Sequence, residues 1–412
     1  MTVFQTIAVL LSFAAAVSYI NKRFVHLPPS VGMMFLTLLM TWGAMGAEGL
    51  GLIDLARASA FVENIDFATI FLHGMLSFLL FAGALHVDLG ELKKFRSIVA
   101  ILATVGVGLA VFVTGSLVWV AARGLGVDIP YLDALLFGAL ISPTDPVAVL
   151  SILKEAAIGK GLRLKIASES LLNDGVGVVF FLVCLGFSQH PQTMPTWDDL
   201  MVLVAWEGLG SIALGLSMGL IVYVLLRGID DYKTEVLLTL ALAAGGYSLA
   251  EAINVSAPIA MVVAGLVIGN HGRAFVMSDK TRKHLDMFWE LLDDILNSIL
   301  FVLIGLEIMV IPLTVSLLAT GLVAIVATLL GRFVSVALPI SLMRTRVRFE
   351  KGTIRLMTWG GLRGGISIAM ALSLPASPYR NIILGMTYLT VVFSVLFQGT
   401  TFSHVAKRIM RR

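Results

Sequence analysis

Charge is scarce in this chain: Asp, Glu, Lys and Arg make up 13% of its 412 residues, against about 25% in an ordinary soluble domain. A single cysteine, Cys184, excludes an internal disulfide. The 7 histidines fall in no HExxH pattern and there is no CxxC, which argues against a structural zinc site. No basic block is interleaved with aromatics, so nothing points to nucleic acid. No Lys or Arg precedes the first apolar run and Lys22 and Arg23 follow it, the reverse of a secretory signal peptide. Long polar connections are missing too. The longest, around 50–65 and 187–200, leave no room for a soluble domain, and no cofactor is implied.

Apolar sequence is what remains, at 58% of the residues. About 13 runs are long enough to cross or nearly cross a ~30 Å hydrocarbon core. They cover approximately 3–20, 30–50, 66–88, 97–122, 131–153, 168–187, 200–226, 234–252, 256–270, 287–309, 311–340, 353–374 and 381–404. Lys and Arg collect on cytoplasmic loops, and here 24 of the 29 fall in alternate connections and the tail. Arg57, Arg123 and Arg380 lie opposite them, which leaves Arg332 and Arg363 as the basic residues at membrane depth. The alternation predicts an all-α polytopic protein of the cell (inner) membrane, N-terminus outside and C-terminus cytoplasmic.

Two spans carry helix breakers. Pro143 and Pro146 interrupt the fifth, where each lacks an N–H and crowds the carbonyl four residues earlier, so about a turn should open. The run Gly360-Gly361-Leu362-Arg363-Gly364-Gly365 interrupts the twelfth. Five and twelve differ by seven, so spans 1–6 and 8–13 read as two six-helix repeats of opposite orientation, linked by span 7. Discontinuous helices in matching positions of inverted halves are where transporters bind their cargo. Asp145 sits at one break and Arg363 at the other, suited to offsetting half-helix dipoles.

The sixth span carries Glu169-Ser170-Leu171-Leu172-Asn173-Asp174, two carboxylates at bilayer depth. An ionised Asp or Glu there costs roughly 2.5–3.5 kcal/mol on insertion scales, so it marks a functional site by default. Glu169 and Asn173 are i,i+4 on one stripe, while Ser170 and Asp174 share the adjacent one. The second stripe offers hydroxyl and carboxylate oxygens of the kind hard cations prefer, extended by Thr144 and Asp145. The first suits a fixed cation. Arg332 is the expected partner of Glu169, with Arg363 second, since guanidinium stays charged and bonds bidentately. Glu290, Asp293 and Asp294 are expected in the first turns of span 10, meeting the helix dipole rather than forming a vestibule for cations. Glu207, Glu251 and Glu307 read as solvated near span ends, His73 and His86 as packed or interfacial, and Cys184 as a small apolar filler.

Ser142-Pro-Thr-Asp-Pro-Val-Ala-Val149, Glu169-Ser-Leu-Leu-Asn-Asp-Gly175 and Gly360-Gly-Leu-Arg-Gly-Gly-Ile-Ser367 closely resemble the monovalent cation/proton antiporters of the NhaP and eukaryotic sodium/proton exchanger type. The resemblance covers the whole chain. It implies an NhaA-like antiporter fold, with an ion-translocation core (97–187 and 311–405) moving against a dimerisation scaffold (1–96 and 234–310) and 200–226 as linker helix. It implies Asp174 as the shared Na+ (or Li+) and proton site, with Thr144, Asp145, Ser170 and Asn173 grouped with it as ion-binding residues, and Arg332 paired with Glu169. Asn173, where a related family has a second Asp, looks like the electroneutral branch. The expected activity is therefore Na+/H+ exchange by a lipid-embedded homodimer, not an enzymatic reaction. K+/H+ exchange, a cation channel and a sodium-coupled solute symporter are the competing readings.

Overall fold

The computed structural model describes residues 3–63, 65–93, 95–145, 160–189, 202, 205–273, 277–311, 314–344 and 349–410, and among these there is no strand. Nine helices among the described residues are long and apolar enough to cross a membrane. They are α1 (Val3–Ile20), α2 (Pro29–Gly49), α3 (Phe67–Leu85), α4 (Arg96–Gly124), α6 (Lys160–Gln189), α7 (Trp206–Leu226), α8 (Tyr232–Ala252), α11 (Val315–Met343) and α14 (Arg380–Ile409). Two apolar helices are shorter, α5 (Tyr131–Ile141) and α9 (Ala257–Gly272). The described residues also form a long helix that starts polar, α10 (Asp279–Glu307), two half-helices, α12 (Thr353–Trp359) and α13 (Gly365–Leu372), and short connecting helices at Ala56–Glu63 and Leu89–Lys93.

Short polar caps set many of the starts. Asp66 accepts from the Thr69 N–H before α3, Asp231 from Thr234 before α8, Ser278 from Thr281 before α10 and Thr314 from Leu317 before α11. Proline occupies the first turn of α2 and of α9, where its missing N–H costs nothing.

The Ser278 cap has a consequence. It starts α10 at Asp279, about two turns before the apolar stretch begins, so Glu290, Asp293 and Asp294 lie mid-helix. The expectation that they meet the helix dipole is therefore corrected: they are more than ten residues from the N-terminus, where the dipole has faded. Glu307, expected to be solvated, is buried at the other end of α10. His73 pairs with Glu251 at 3.2 Å on the surface, and Cys184 is buried.

The helices pack in two groups. In one, α4 lies against α5 and α11, α5 against α6, and α11 against α14. In the other, α9 lies against α3, α7 and α8, and α10 against α2. Between the groups lies a cavity of about 680 Å³, walled by α3 and α10 on one side and by α6, the fifth-span break and the start of α13 on the other.

Candidate functional site

Both breaks are present. Helix α5 stops at Ile141, two residues before Pro143. The carbonyl of Ala139, which Pro143 cannot serve, accepts from the Ser142 backbone N–H at 3.2 Å and from its hydroxyl at 2.8 Å. Ser142 to Asp145 then run non-helically, and Pro146 lies outside the described residues. In the twelfth span the chain leaves helix at Gly360 and re-enters it at Gly365.

The two breaks touch and exchange their charges. The Asp145 N–H donates to the Leu362 carbonyl at 2.8 Å. Arg363 reaches the other way: its Nη1 donates to the carbonyls of Ser142 and Pro143, the negative end of α5. The Asp145 carboxylate lies against Gly364, at the positive end of α13, so close that a Cβ on Gly364 would overlap it. Each charge thus serves the half-helix of the opposite repeat. The Ser394 hydroxyl accepts from the Arg363 N–H at 2.9 Å, and Gln398 donates to the Trp359 carbonyl at 3.2 Å. Ser394 and Gln398 belong to a π-helical turn of α14 (Ser394–Gln398), whose widened backbone aims both side chains at the break.

Helix α6 presents its polar residues on two stripes. Glu169 is held by Arg332 through two parallel bonds, Nη1 to Oε1 and Nη2 to Oε2, each 2.7 Å. Arg332 Nε donates to the Met357 carbonyl at 3.3 Å, and both partners are buried. Gly361 permits this: a Cβ there would stand 2.6 Å from Arg332 Nε. Asn173 is used on both ends of its amide. It accepts from the Thr144 N–H at 3.2 Å and donates to the Thr144 hydroxyl at 2.8 Å and to Glu169 Oε1 at 3.1 Å. Thr144 also shares a 2.9 Å hydrogen bond with the Ser170 hydroxyl. Asn173 is therefore a brace between the break and the ion pair.

Asp174 differs from all of these. It is 2% exposed, it lines the cavity, and its Oδ1 has no hydrogen-bond partner. Thr144 and Asp145 line the same floor. A buried carboxylate oxygen without a donor is costly unless a proton or a cation completes it.

On the opposite wall stand Glu290, Asp293 and Asp294, which the sequence reading assigns to the helix dipole and not to a vestibule. Asp286, Glu290, Asp293 and Asp294 of α10 and Asp88 after α3 also line the cavity, and among its described lining residues there is no Lys or Arg. A signal existed: residues 286, 290, 293 and 297 repeat at the spacing of one helix face.

The transmembrane sodium/hydrogen exchanger family matches residues 9–408. The chain is 44% identical over 408 residues to the Na(+)/H(+) antiporter NhaP of Pseudomonas aeruginosa, covering 98% of this chain and 96% of that one. It is 32% identical to the Na(+)/H(+) antiporter NhaH of Halobacillus dabanensis, covering 99% and 98%. Its fold is similar to that of the sodium proton antiporter MjNhaP1 from Methanocaldococcus jannaschii, with a TM-score of 0.76 at 21% identity and 100% of both chains covered. Matched almost from end to end, with polar groups converging where two broken helices cross, the chain belongs to the sodium/hydrogen exchanger family of multi-pass membrane transporters.

Proposed function

We propose that the protein exchanges Na+, or Li+, for H+ one for one by alternating access, with Asp174 as the carrier. The observation that carries this reading is the Asp174 carboxylate: buried, at the floor of a cavity, and with Oδ1 unpartnered. A proton and a cation each complete that group and exclude the other. Thr144, Ser170 and Asp145 supply further oxygens for the ion, Asp145 as a cavity-lining carboxylate and Ser170 through its bond to Thr144.

The charge count supports electroneutrality. Glu169 is neutralised by Arg332, Asn173 carries no charge, and Arg363 and Asp145 bring equal and opposite charge to the crossing. Asp174 with Na+ and Asp174 with H+ are then both neutral. Empty Asp174 is a bare anion in a low-dielectric barrier and crosses rarely, which couples the two fluxes.

The core (97–187 and 311–405) moves against the scaffold (1–96 and 234–310) in this proposal, and the scaffold forms the homodimer within the lipid. The division follows the two packing groups, with α7 (the 200–226 linker) lying on α9 of the scaffold. The cavity is the inward-facing state, since its mouth at Asp88 and Asp286 adjoins the basic loops at Lys93 and Lys283. The N-terminus is then outside and the C-terminus cytoplasmic.

Dye-monitored proton release from proteoliposomes, challenged with NaCl, LiCl and KCl in turn, tests the activity. Na+ and Li+ should release protons, and Asp174→Asn should abolish the release while the purified variant melts as a folded protein. An amide neither gives up a proton nor balances a cation, so appreciable sodium-driven flux from that variant would overturn the assignment.

A further inference from the structure

Among the described residues two hydroxyl groups line the cavity, those of Thr144 and Ser367. The Thr144 hydroxyl is already engaged, by Ser170 at 2.9 Å and by the Asn173 amide at 2.8 Å. Ser170 is fully buried behind it and is not among the described lining residues. Ser367 is the third residue of α13, on the other side of the crossing. It is 1% exposed, and its Oγ has no hydrogen-bond partner.

That freedom sets it apart from other buried hydroxyls of the same packing group. Those of Ser335, Thr387 and Thr390 turn back onto their own helices, donating to the carbonyls of Arg332, Ile383 and Met386 at 2.9, 2.7 and 2.8 Å. For Ser367 the carbonyl four residues back is that of Arg363, which lies in the break and outside the helix. The interruption that makes the crossing thus also releases this hydroxyl. Cα–Cβ bonds in a helix tilt toward its N-terminus. Ser367 therefore leans back toward the crossing, where the Asp145 carboxylate lies against Gly364. The positive end of α13 would by itself repel a cation, and Asp145 offsets it.

We infer that Ser367 is a ligand of the transported cation, supplied by the second inverted repeat to a site whose other oxygens come from the first. This deepens the antiport reading above and rests on it. A hydroxyl oxygen is a hard, neutral ligand of the kind Na+ and Li+ take. It adds to the hold on the ion and leaves the charge count of the moving part as it was. A proton needs only one oxygen of Asp174, whereas a cation needs several, so Ser367 favours the ion over the proton.

Two measurements test this. In proteoliposomes, Ser367→Ala should raise the KM for Na+ about three- to thirtyfold, the cost of replacing the hydroxyl with an immobilised water, with KM and not the maximal rate carrying the loss. Ser367→Thr, which keeps the hydroxyl, should lie closer to wild type. Second, Ser367→Cys in a Cys184→Ala background should react with methanethiosulfonate ethylammonium entering through the cavity. Na+ should slow that reaction, choline at equal ionic strength should not, and adding Asp174→Asn should remove the protection. A KM for Ser367→Ala equal to that of wild type, or a fall confined to the maximal rate, overturns the inference. So does a thiol at this position that fails to react, or reacts equally fast in Na+ and choline. Asp174→Asn measured alongside separates the two readings: if it is inactive while Ser367→Ala behaves as wild type, only this inference fails, and if it exchanges, the antiport assignment fails.

Discussion

Replacing Glu169 with Ala should destabilise the protein by about 3–5 kcal/mol, because it strands Arg332 as a buried, unpaired cation. The geometry favours that upper class of effect over the near-zero value of a surface pair. Glu169 is 1% and Arg332 6% exposed, and the fork is bidentate with both bonds at 2.7 Å. Without Glu169 the guanidinium keeps one charge-neutral acceptor, the Met357 carbonyl. Arg332→Ala strands Glu169 in turn, with the Asn173 amide as its remaining donor. At ~2.1 cal/mol/K of unfolding entropy per residue, 412 residues melting as one unit turn 3–5 kcal/mol into a fall of roughly 4–6 °C. The double variant should lose less than the sum of the singles, since neither charge is then left alone. Thermal melting of the four proteins in one detergent provides the measurement. Single variants that melt within about 1 °C of wild type, or a double variant whose loss equals the sum, would refute the reasoning.

Electroneutral exchange predicts that a valinomycin-clamped potassium diffusion potential drives no sustained proton flux in sodium-loaded proteoliposomes, although a moving charge would gain about 2.3 kcal/mol per 100 mV; a flux that reverses with the sign of the potential would disprove the count. Gly361→Ala should lower stability by about 1–3 kcal/mol, as overpacking does, because the new Cβ would displace Arg332 Nε. Melting of that variant alone and combined with Arg332→Ala tests it, the two effects being less than additive. Asp66→Ala should cost about 0.5–2 kcal/mol by removing the cap of α3. Hydrogen bonds from the Thr69 side chain and backbone hold the Asp66 carboxyl below the usual carboxylate range. A depressed value in the fold means stability that is complete above about pH 4 and lost on further acidification. The melting difference between wild type and variant should therefore be full at pH 7 and shrink below pH 4.

Much of the crossing was readable from Pro143, the glycine run at 360–365 and the acids of the sixth span, because helix breakers and membrane-depth charges each have few physical uses. The contact between Glu169 and Arg332 was readable for the same reason, two basic residues at membrane depth leaving few choices. The partners of Asp145 and Arg363 were not. Each was placed at its own break, whereas the folded chain crosses them, and no local pattern encodes which half-helix end a side chain will reach. Asn173 was grouped with the ion ligands, yet its amide is spent on Thr144 and Glu169, a distinction that depends on rotamers and not on spacing. The acids of α10 were placed in the first turns of their span because hydropathy sets its start near 287, whereas the Ser278 cap starts the helix at Asp279 and carries the face 286–297 into the cavity wall.

The crossed charges also bear on how the protein is made. The carbonyls of Ser142 and Pro143 are satisfied by a side chain 220 or more residues later in the chain. When the ribosome has delivered the first six spans, the opened turn after α5 exposes polar backbone at bilayer depth with nothing yet to bind it, and Glu169 waits likewise for Arg332, 163 residues on. Lipid tolerates such groups only where water or protein reaches them. The amino-terminal half must therefore persist as a hydrated or shielded intermediate during synthesis, and the carboxyl-terminal half completes it by supplying both guanidinium groups. Chains cut before residue 332 are expected to remain sensitive to membrane proteases, and co-expression of the missing half should protect them.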